Sequence, residues 1–293
     1  MKNKFIIVLM LFIGACGVKG VKDTTDKNTS PDLYVNDTLV DTTKQNDDID
    51  TGFAFTKKLP TDSITLKNGV KIVFLTHGKG EKIKKFDVVA LNYRGMLTNK
   101  KIIESNENLK QPIPFVIGLE LTFDAFDQAL LECVEGDNIR FTIPAKLAYG
   151  EKGRGEVVPP NSDLIYEVAI LEKIQGQKTP SGVEIFSLIK HENNIKAENG
   201  DLIELAYKGW IKKNGKLFDA SAASGKLYEF DLGTGTVIKA WHETVATMRK
   251  GEKVLIIAPS ATCYGNKGVP ELVPPNSDLV YILELNAITK KAK

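Results

Sequence analysis

The chain contains a long internal repeat. The segment VVPPNSDL, Val157–Leu164, follows Tyr149-Gly150, and LVPPNSDL, Leu272–Leu279, follows Tyr264-Gly265 at the same spacing. The two copies are 115 residues apart, from position 149 to position 264, and align without a gap. Because solenoid repeats have periods of roughly 20–50 residues, a repeat of this length predicts two whole domains.

Length and composition agree with two soluble domains. A chain of 293 residues has room for about two domains of roughly 100–200 residues each, and 42% hydrophobic with 26% charged residues is ordinary globular composition. The 39 basic and 37 acidic side chains leave a net charge of +2, with no basic stripe interleaved with aromatic residues. We therefore expect no nucleic-acid partner, and we expect a monomer.

Histidines and cysteines give no metal or disulfide framework. No two of the three histidines have metal-ligand spacing, so we expect no metal site and no cofactor. The three cysteines are an odd number, and the two in the repeats occupy non-equivalent positions, so neither domain contains a disulfide. We expect these two to be small buried hydrophobic residues. The residues concerned are His77, His191, His242, Cys16, Cys133 and Cys263.

The N-terminus has the pattern of an export signal. Lys2 and Lys4 precede the apolar run Phe5–Ile13, and two small residues follow it. A charged start, an apolar middle and a small-residue end predict a signal peptide over residues 1–15. The run is shorter than the about 20 apolar residues that a membrane-spanning helix needs.

Ile13-Gly14-Ala15-Cys16 also resembles the lipobox of bacterial lipoproteins. That resemblance implies cleavage before Cys16 and lipidation of this cysteine, which would anchor the protein to a membrane. The alternative is a plain signal peptide followed by an incidental cysteine. Gly17 stands where an aspartate would indicate inner-membrane retention, so we expect an extracytoplasmic lipoprotein, with the outer membrane preferred.

Residues 16–53 have the composition of a tether. They are rich in Thr, Asp, Asn and Lys and poor in large apolar residues, so they cannot bury enough surface to offset chain entropy, and we predict disorder. A flexible chain of this length spans on the order of 30 Å. It would hold the folded part away from a membrane surface.

The two predicted domains, 54–175 and 176–293, repeat one order of elements. Alternating and β-branched runs predict strands, apolar residues at helical spacing predict one short helix per domain, and Asn214-Gly215 is a hairpin-turn signal. Several strands with one helix indicate an α+β class, in which the helix covers one face of a mainly antiparallel sheet. In the first domain the strands are 70–74, 87–97, 115–118, 138–143 and 164–171 and the helix is 122–131. In the second the strands are 201–207, 230–233, 254–258 and 279–285 and the helix is 237–248.

Both halves resemble FKBP-type peptidyl-prolyl cis–trans isomerases. In the second half the matching segments are Ala206–Gly209, Gly215–Asp219, Val237–Trp241, Cys263–Gly265 and Leu272–Pro275. In the first half they are Leu91–Leu97, Thr122-Phe123, Ala148–Gly150 and Val157–Pro160. Each segment alone is weak, but the ordered set is specific. The resemblance implies two tandem FKBP-like domains, each a twisted sheet wrapped on one short helix.

The resemblance also implies a proline-binding pocket in the second domain. Trp241 would be its floor, the Tyr264 hydroxyl would bind a substrate carbonyl, and Asp219 would bond Tyr207 at the polar edge. The expected catalytic residues are Tyr207, Phe218, Asp219, Trp241 and Tyr264. The expected substrate-binding residues are Tyr228, Phe230, Val237, Ile238 and Tyr281 in the walls, and Leu272 and Val273 at the rim.

The first domain departs from this pattern. It has Ile103-Glu104 in place of Phe-Asp and Phe126 in place of the tryptophan, and Ile113 replaces a wall aromatic. The longer Glu104 is not expected to reach Tyr93 in the same geometry. We therefore predict a weaker isomerase or a peptide-binding module. Its expected pocket is completed by Phe115, Thr122, Phe123, Tyr149, Val157, Val158 and Tyr166.

The resemblance implies an isomerase that acts on Xaa-Pro bonds of exported, proline-containing polypeptides without a covalent step. Two alternatives remain. One is a membrane-tethered chaperone or adaptor that uses the clefts for binding without useful turnover. The other is a structural repeat with no open pocket.

Overall fold

A computed structural model describes residues 62–109, 111–119, 122–221 and 226–291. The predicted signal peptide, the lipidation site Cys16 and the tether lie outside these residues, and those predictions stay untested. Within the described segments, no helix is both long and apolar enough to cross a membrane. The two predicted repeats each form one antiparallel sheet with one short α-helix, so the predicted α+β class is confirmed.

The first sheet, with its helix, is called domain 1. Its strand order is β1-β2-β6-β7-β3-β4, and β5 also pairs with β3. All of its pairings are antiparallel. The elements are β1 Asp62–Thr65, β2 Lys71–Thr76, β3 Val88–Leu97, β4 Ile102–Ser105, β5 Ile113–Val116, α1 Asp124–Leu131, β6 Asn138–Ile143 and β7 Leu164–Lys173.

The second sheet, with its helix, is called domain 2 and repeats this arrangement. The order is β11-β10-β14-β13-β9-β8, with β12 paired to β10. Read from the other edge, each strand has a counterpart in domain 1. The elements are β8 Gln177–Lys178, β9 Glu184–Ile189, β10 Leu202–Ile211, β11 Lys216–Ala220, β12 Tyr228–Asp231, α2 Lys239–Val245, β13 Lys253–Ala258 and β14 Leu279–Thr289.

Sequence patterns located the central strands well and the edges poorly. The strand predicted at 138–143 is confirmed as β6, whereas the predicted helix 237–248 is too long, because α2 covers only Lys239–Val245. The edge strands β1, β4, β8 and β11 and the strand β9 were not predicted. β8 lies directly after the boundary predicted between the domains and pairs with β9 in the second sheet.

Each helix packs its apolar face into the concave side of its own sheet. In α1, Phe126 and Leu130 are buried in a core with the inward residues of β2, β3, β6 and β7. In α2, Trp241 and Val245 occupy the corresponding places. Burial of such side chains contributes roughly 1.5–3 kcal/mol each, which is how so short a helix is held in place.

A third apolar cluster joins the two domains. Domain 1 contributes one edge of its sheet, and domain 2 contributes the outer face of its sheet. The two domains are consecutive in the chain and pack against each other directly. The members are Phe86, Val88, Val116 and Leu119 of domain 1 and Phe186, Leu188, Trp210, Leu255, Val280 and Ile282 of domain 2. Lys85 also packs against the hairpin turn at Gly215.

The corresponding outer face of the domain 1 sheet is charged. Glu167 of β7 is buried and accepts hydrogen bonds from Arg94 Nε and Arg140 Nε, both at 2.7 Å. By strand register, Leu255 and Ile282 of domain 2 stand where Arg140 and Glu167 stand in domain 1. The domain whose face is covered therefore carries the apolar pair, and the uncovered face carries the ion pairs.

The two repeat cysteines are reduced and separate. Cys133 is fully buried, as predicted. Cys263 is only partly buried, which corrects the expectation of full burial, because it lies in the loop beside the candidate site of domain 2. Burial raises the pKa of the Cys263 thiol to about 12, so it stays protonated.

Candidate functional site

Trp241 forms the floor of a cleft in domain 2, called cleft 2. The chain enters α2 through Ile238, whose carbonyl accepts the Trp241 backbone N–H at 3.0 Å, and this turn directs the indole inward. Only 6% of the residue is exposed. Its indole N–H is buried and has no hydrogen-bond partner among the described residues.

Aromatic rings from three strands surround this indole. Tyr207 of β10 lies 4.7 Å away between ring centroids, Tyr281 of β14 lies 5.4 Å away and Tyr228 of β12 lies 5.8 Å away. Phe230 completes the group at 6.4 Å. The interplanar angles are 62° to Tyr207 and 81° to Tyr281, so these rings present edges to the indole, as aromatic pairs prefer.

A hydrogen bond fixes the polar edge of cleft 2. The Tyr207 hydroxyl donates to Asp219 Oδ2 at 2.7 Å, as predicted. Asp219 is in reach because β10 and β11 pair Gly209 with Asp219. Burial, and then the bond to this carboxylate, raises the pKa of Tyr207, so the hydroxyl stays protonated and remains a donor.

Gly209 leaves room for two aromatic rings in the wall of cleft 2. A side-chain Cβ there would lie 2.7 Å from Cε1 of Tyr281 and 3.0 Å from Cε1 of Phe218. These two rings stand 5.8 Å apart in an edge arrangement over the glycine. The absence of a side chain on β10 therefore allows the two wall aromatics to pack against the sheet.

The rim of cleft 2 exposes apolar side chains. Leu272 is 46% exposed and Tyr228 41%, and Leu227, next to Tyr228 in the chain, is also exposed. Val273, which the sequence placed at the rim with Leu272, is instead buried in the core. Tyr264 is partly buried at the edge of this cluster, and burial raises the pKa of its hydroxyl.

Val237 and Ile238 lie on the entry to α2 and pack against the same core. Beyond the rim, a groove of about 450 Å³ separates the turn after β10 from the loop 267–275. Its lining includes Ile211, Lys216 and Leu272. The expected residues of cleft 2 thus fall into one continuous region, in which Val273, like Trp241, Phe230 and Tyr281, is buried.

Domain 1 contains a corresponding cleft, called cleft 1, with a smaller floor. Phe126 occupies the place of Trp241 and lies 5.1 Å from Tyr166 and 5.2 Å from both Phe115 and Phe141. Phe123 meets Tyr149 edge-on at 5.1 Å. Phe115, Phe126, Tyr149, Val158 and Tyr166 are buried, Ile103, Ile113 and Tyr93 are partly buried, and Val157 is exposed.

The carboxylate of cleft 1 bonds a different tyrosine. Glu104 Oε1 accepts the Tyr166 hydroxyl at 2.5 Å. This agrees with the expectation that Glu104 does not bond Tyr93 as Asp219 bonds Tyr207. The extra methylene group of Glu104 explains how its carboxylate reaches Tyr166 instead. Among the described residues, the Tyr93 hydroxyl has no hydrogen-bond partner. Burial first, and then Glu104, raises the pKa of Tyr93.

Arg154 is a residue of cleft 1 that the sequence analysis missed. Its Nη1 donates to the Tyr149 hydroxyl at 3.3 Å and lies 3.6 Å from Glu104 Oε2, and the guanidinium stands over the Tyr149 ring at 5.8 Å. A comparison of the two repeats would have singled out this residue, because Arg154 corresponds to Val269 at the 115-residue spacing. A charge in one copy therefore replaces an apolar residue in the other.

Nothing in the described segments indicates a metal centre. No group of three or more His, Cys, Asp or Glu side chains lies close enough there to hold an ion. The chemistry available to both clefts is burial of an apolar ligand group against aromatic rings with hydroxyl donors around it, to which cleft 2 adds an indole N–H and cleft 1 a guanidinium. That set suits non-covalent binding of a proline-containing segment.

Comparison with known proteins places both domains in one family. The profile described as "FKBP-type peptidyl-prolyl cis-trans isomerase" matches residues 79–171 and 193–286, which is more than half of the chain. Peptidyl-prolyl cis-trans isomerase FKBP10 of Homo sapiens is 26% identical over 196 residues, covering 67% of this chain and 33% of that protein. The chain therefore spans about a third of the length of this relative.

A smaller relative matches a single domain more closely. Peptidyl-prolyl cis-trans isomerase FPR2 of Saccharomyces cerevisiae is 44% identical over 91 residues, covering 31% of this chain and 67% of that protein. Among solved structures, the three FKBP domains of wheat FKBP73 match with 22% identity and a TM-score of 0.40, covering 77% of this chain and 97% of that chain.

Proposed function

Because the chain belongs to the FKBP-type peptidyl-prolyl cis–trans isomerase family, we propose that it isomerises Xaa-Pro bonds of polypeptides, mainly in cleft 2. The observation that carries this proposal is the aromatic enclosure of Trp241 together with the Tyr207–Asp219 hydrogen bond. Both domains match the family, but only cleft 2 combines this floor with this polar edge.

The reaction needs no covalent step. Rotation about an Xaa-Pro bond crosses a barrier of about 20 kcal/mol, which arises from amide resonance. The charge-separated resonance form is stabilised by water, so moving the amide into an apolar cleft weakens the partial double bond. Each tenfold gain in rate requires about 1.4 kcal/mol of preferential stabilisation of the twisted amide.

The residues of cleft 2 suit these tasks. The indole of Trp241 offers an apolar surface for the proline ring, and the rings of Tyr207, Tyr228 and Phe230 exclude water around it. The Tyr264 hydroxyl stays protonated and is available to donate to a substrate carbonyl. Asp219 orients Tyr207 by accepting its hydroxyl proton in a hydrogen bond.

Cleft 1 is the weaker catalyst in this proposal. Phe126 presents a smaller surface than an indole and has no N–H group, and Glu104 is bonded to Tyr166 rather than to Tyr93. Arg154 brings a charge next to the tyrosine that corresponds to Tyr264. A charged side chain and its water oppose the desolvation on which the mechanism depends.

The site of action that we propose is outside the cytoplasm, on exported polypeptides. The support is the N-terminal sequence, in which the signal pattern precedes Cys16 in a lipobox-like context. Lipid attachment at Cys16 and the tether of residues 16–53 would then hold the two clefts near a membrane surface. Radiolabelled fatty-acid incorporation that is lost in Cys16→Ser tests this part of the proposal, and unchanged incorporation in the variant contradicts it.

A second function has one specific observation in its favour. The exposed apolar rim of Leu227, Tyr228 and Leu272 is suited to holding unfolded chains. A tethered chaperone or adaptor would use this rim without rotating prolyl bonds. The two functions separate if the rim stays intact while the floor is altered.

The test is a peptide isomerisation assay on the whole chain. Because the interdomain cluster covers the outer face of domain 2, isolated domains would expose apolar surface, so substitutions in the intact chain are preferable. The triple variant Phe218→Ile, Asp219→Glu, Trp241→Phe gives cleft 2 the residues that domain 1 has. We expect kcat/KM for a short Xaa-Pro peptide to fall at least about tenfold.

The matched control is Phe126→Leu in domain 1, which we expect to leave most of the activity. A triple variant that remains folded by circular dichroism and retains wild-type kcat/KM would refute the assignment to cleft 2. Absence of turnover in the wild type, with suppression of client aggregation in both wild type and triple variant, would favour the chaperone function.

A further inference from the structure

Cleft 1 differs from cleft 2 by exchanging apolar groups for polar ones. Arg154 stands where domain 2 has Val269, and Thr122 stands where it has Val237. The Thr122 hydroxyl is buried and has no hydrogen-bond partner within the part of the chain that the structure describes. Cleft 1 is therefore not merely a smaller copy of cleft 2, because two of its positions add hydrogen-bond donors where cleft 2 has none.

The guanidinium of Arg154 has unused donors. Of its five N–H groups, the described contacts use only Nη1, towards the Tyr149 hydroxyl at 3.3 Å and, more distantly, Glu104 Oε2 at 3.6 Å. The side chain is 37% exposed, so a ligand can reach it from solvent. A planar guanidinium with free donors binds a carboxylate through two parallel hydrogen bonds.

Glu104 forms an ion pair with Arg154 but does not use the remaining N–H donors of the guanidinium. Its Oε1 is committed to the Tyr166 hydroxyl at 2.5 Å, and its other oxygen lies beyond hydrogen-bond distance from Arg154. The Tyr93 hydroxyl is a second donor without a partner among the described residues, and its pKa is raised, mainly by burial and next by Glu104, with Arg154 opposing the rise. Tyr93 thus stays protonated within the electrostatic range of Arg154.

We propose that cleft 1 binds proline-containing segments with an acidic side chain next to the proline, and that Arg154 sets this preference. The inference rests on the proposed function, since it assumes that both clefts receive prolyl segments. The segment's carboxylate would take the free guanidinium donors of Arg154. Cleft 2, with Val269 at this position, has no comparable preference.

The two clefts can be observed separately in the intact chain. Isoleucine side chains lie in both, with Ile103 and Ile113 in cleft 1 and Ile238 at cleft 2. Selective labelling of isoleucine methyl groups allows peptide titrations to be followed by NMR, with one dissociation constant for each cleft. The peptides share one sequence except at the proline, where they carry Gln-Pro-Gln, Glu-Pro-Gln, Gln-Pro-Glu or Lys-Pro-Lys.

We expect cleft 1 to bind at least one of the two glutamate peptides about three- to tenfold more tightly than the glutamine peptide, and the lysine peptide most weakly. The gain is limited because Arg154 is partly exposed, and it should shrink as salt increases. Arg154→Gln and Arg154→Val should abolish the preference without abolishing binding. Val269→Arg should introduce the same preference at Ile238.

Three results would overturn the inference. If both Arg154 variants tighten binding of all four peptides equally, Arg154 is a gate that obstructs cleft 1 rather than a selector. If cleft 1 binds the four peptides equally in the wild type, it has no charge preference, while a response at Ile238 would leave the proposed function standing. If neither cleft responds to any peptide, the proposed function fails together with the inference.

Discussion

At the scale of single residues, one methylene group separates the polar edges of the two clefts. Asp219 accepts the hydroxyl of Tyr207 from the neighbouring strand, whereas Glu104 reaches Tyr166 on β7. Both bonds join a carboxylate to a tyrosine whose pKa is raised, first by burial. The same kind of hydrogen bond therefore holds a tyrosine of a different strand in each cleft. In cleft 1 the Tyr93 hydroxyl is left without a partner among the described residues.

The Tyr264 hydroxyl gives a prediction at this scale. If it donates to the substrate carbonyl in the transition state, Tyr264→Phe removes one neutral hydrogen bond of about 1 kcal/mol, and kcat/KM should fall about fivefold. The matched variant Tyr149→Phe, at the corresponding position of cleft 1, should change the measured kcat/KM by less than about twofold. Equal losses in the two variants would mean that both clefts turn over substrate.

His242 gives a prediction about pH. Its Nδ1 accepts the Gly233 backbone N–H at 3.1 Å, and burial lowers the pKa of the ring. Because the folded pKa lies below the unfolded value of about 6.5, the stability contribution is complete above about pH 6.5 and is lost as the pH falls through the folded pKa. Protonation of Nδ1 would also end the bond to Gly233.

The measurement is the urea midpoint of unfolding between about pH 8 and about pH 5, for the wild type and for His242→Gln. The wild type should be more stable at the upper end, by about 1 kcal/mol, and the difference between the two proteins should narrow as the pH falls. A constant difference across this range would show that the pKa of His242 is the same in the folded and the unfolded protein.

At the scale of elements, the sequence predicted the central strands and missed the edges. β6 alternates apolar and polar residues over a buried face, and β3 and β7 contain runs of mainly buried apolar residues; both are patterns that a sequence reveals. β4, β8 and β11 are short, and β8 and β11 have no buried residue. Their pairing depends on a neighbouring strand, which no local pattern encodes.

The aromatic residues of cleft 2 were predictable because the family resemblance carried them as an ordered set. Arg154 was not predicted because it lies in a variable stretch between the matching segments, and its meaning appears only against Val269. Val273 was misplaced at the rim because adjacent loop residues, Leu272 and Val273, point to opposite sides. Sequence order alone does not distinguish those sides in a loop.

Gly209 links strand geometry to the site. In Gly209→Ala the new Cβ would meet the rings of Tyr281 and Phe218 at 2.7 Å and 3.0 Å, so both rings must move. We expect a loss of about 1–3 kcal/mol of stability, as for other overpacked sites, and a fall in kcat/KM of about tenfold or more. The assays are chemical denaturation and peptide isomerisation.

Gly95→Ala is the control, because its Cβ would meet Tyr166 at the same distance of 2.7 Å in domain 1. It should cost similar stability and leave the activity of cleft 2 nearly unchanged. If Gly209→Ala is destabilised and yet fully active, the wall formed by Phe218 and Tyr281 does not contribute to catalysis.

At the scale of the whole molecule, the two repeats have diverged where they meet. The outer face of domain 2 is apolar at Leu255 and Ile282, and domain 1 covers it, while the matching positions of domain 1 hold the Arg140–Glu167 ion pair. Each domain buries apolar surface of the other, and either domain alone would expose that surface to water. We therefore expect the two domains to unfold in a single transition.

Exchanging these residues should uncouple the domains. The double variant Leu255→Arg, Ile282→Glu gives domain 2 the paired charges that domain 1 has at the same register. We expect calorimetry to show one unfolding transition for the wild type and two for the variant, with kcat/KM changed by less than about twofold because cleft 2 lies on the other side of the sheet. A single transition in the variant would show that the interdomain cluster does not couple the domains.

The most direct test of the central claim is the refolding of a protein whose slow phase is limited by one prolyl isomerisation. Catalytic amounts of the whole chain should accelerate that phase in proportion to their concentration without changing its amplitude. The triple variant Phe218→Ile, Asp219→Glu, Trp241→Phe should lose at least about nine tenths of the effect. A slow phase that keeps its rate while the yield of refolded protein rises would contradict the claim and identify a chaperone.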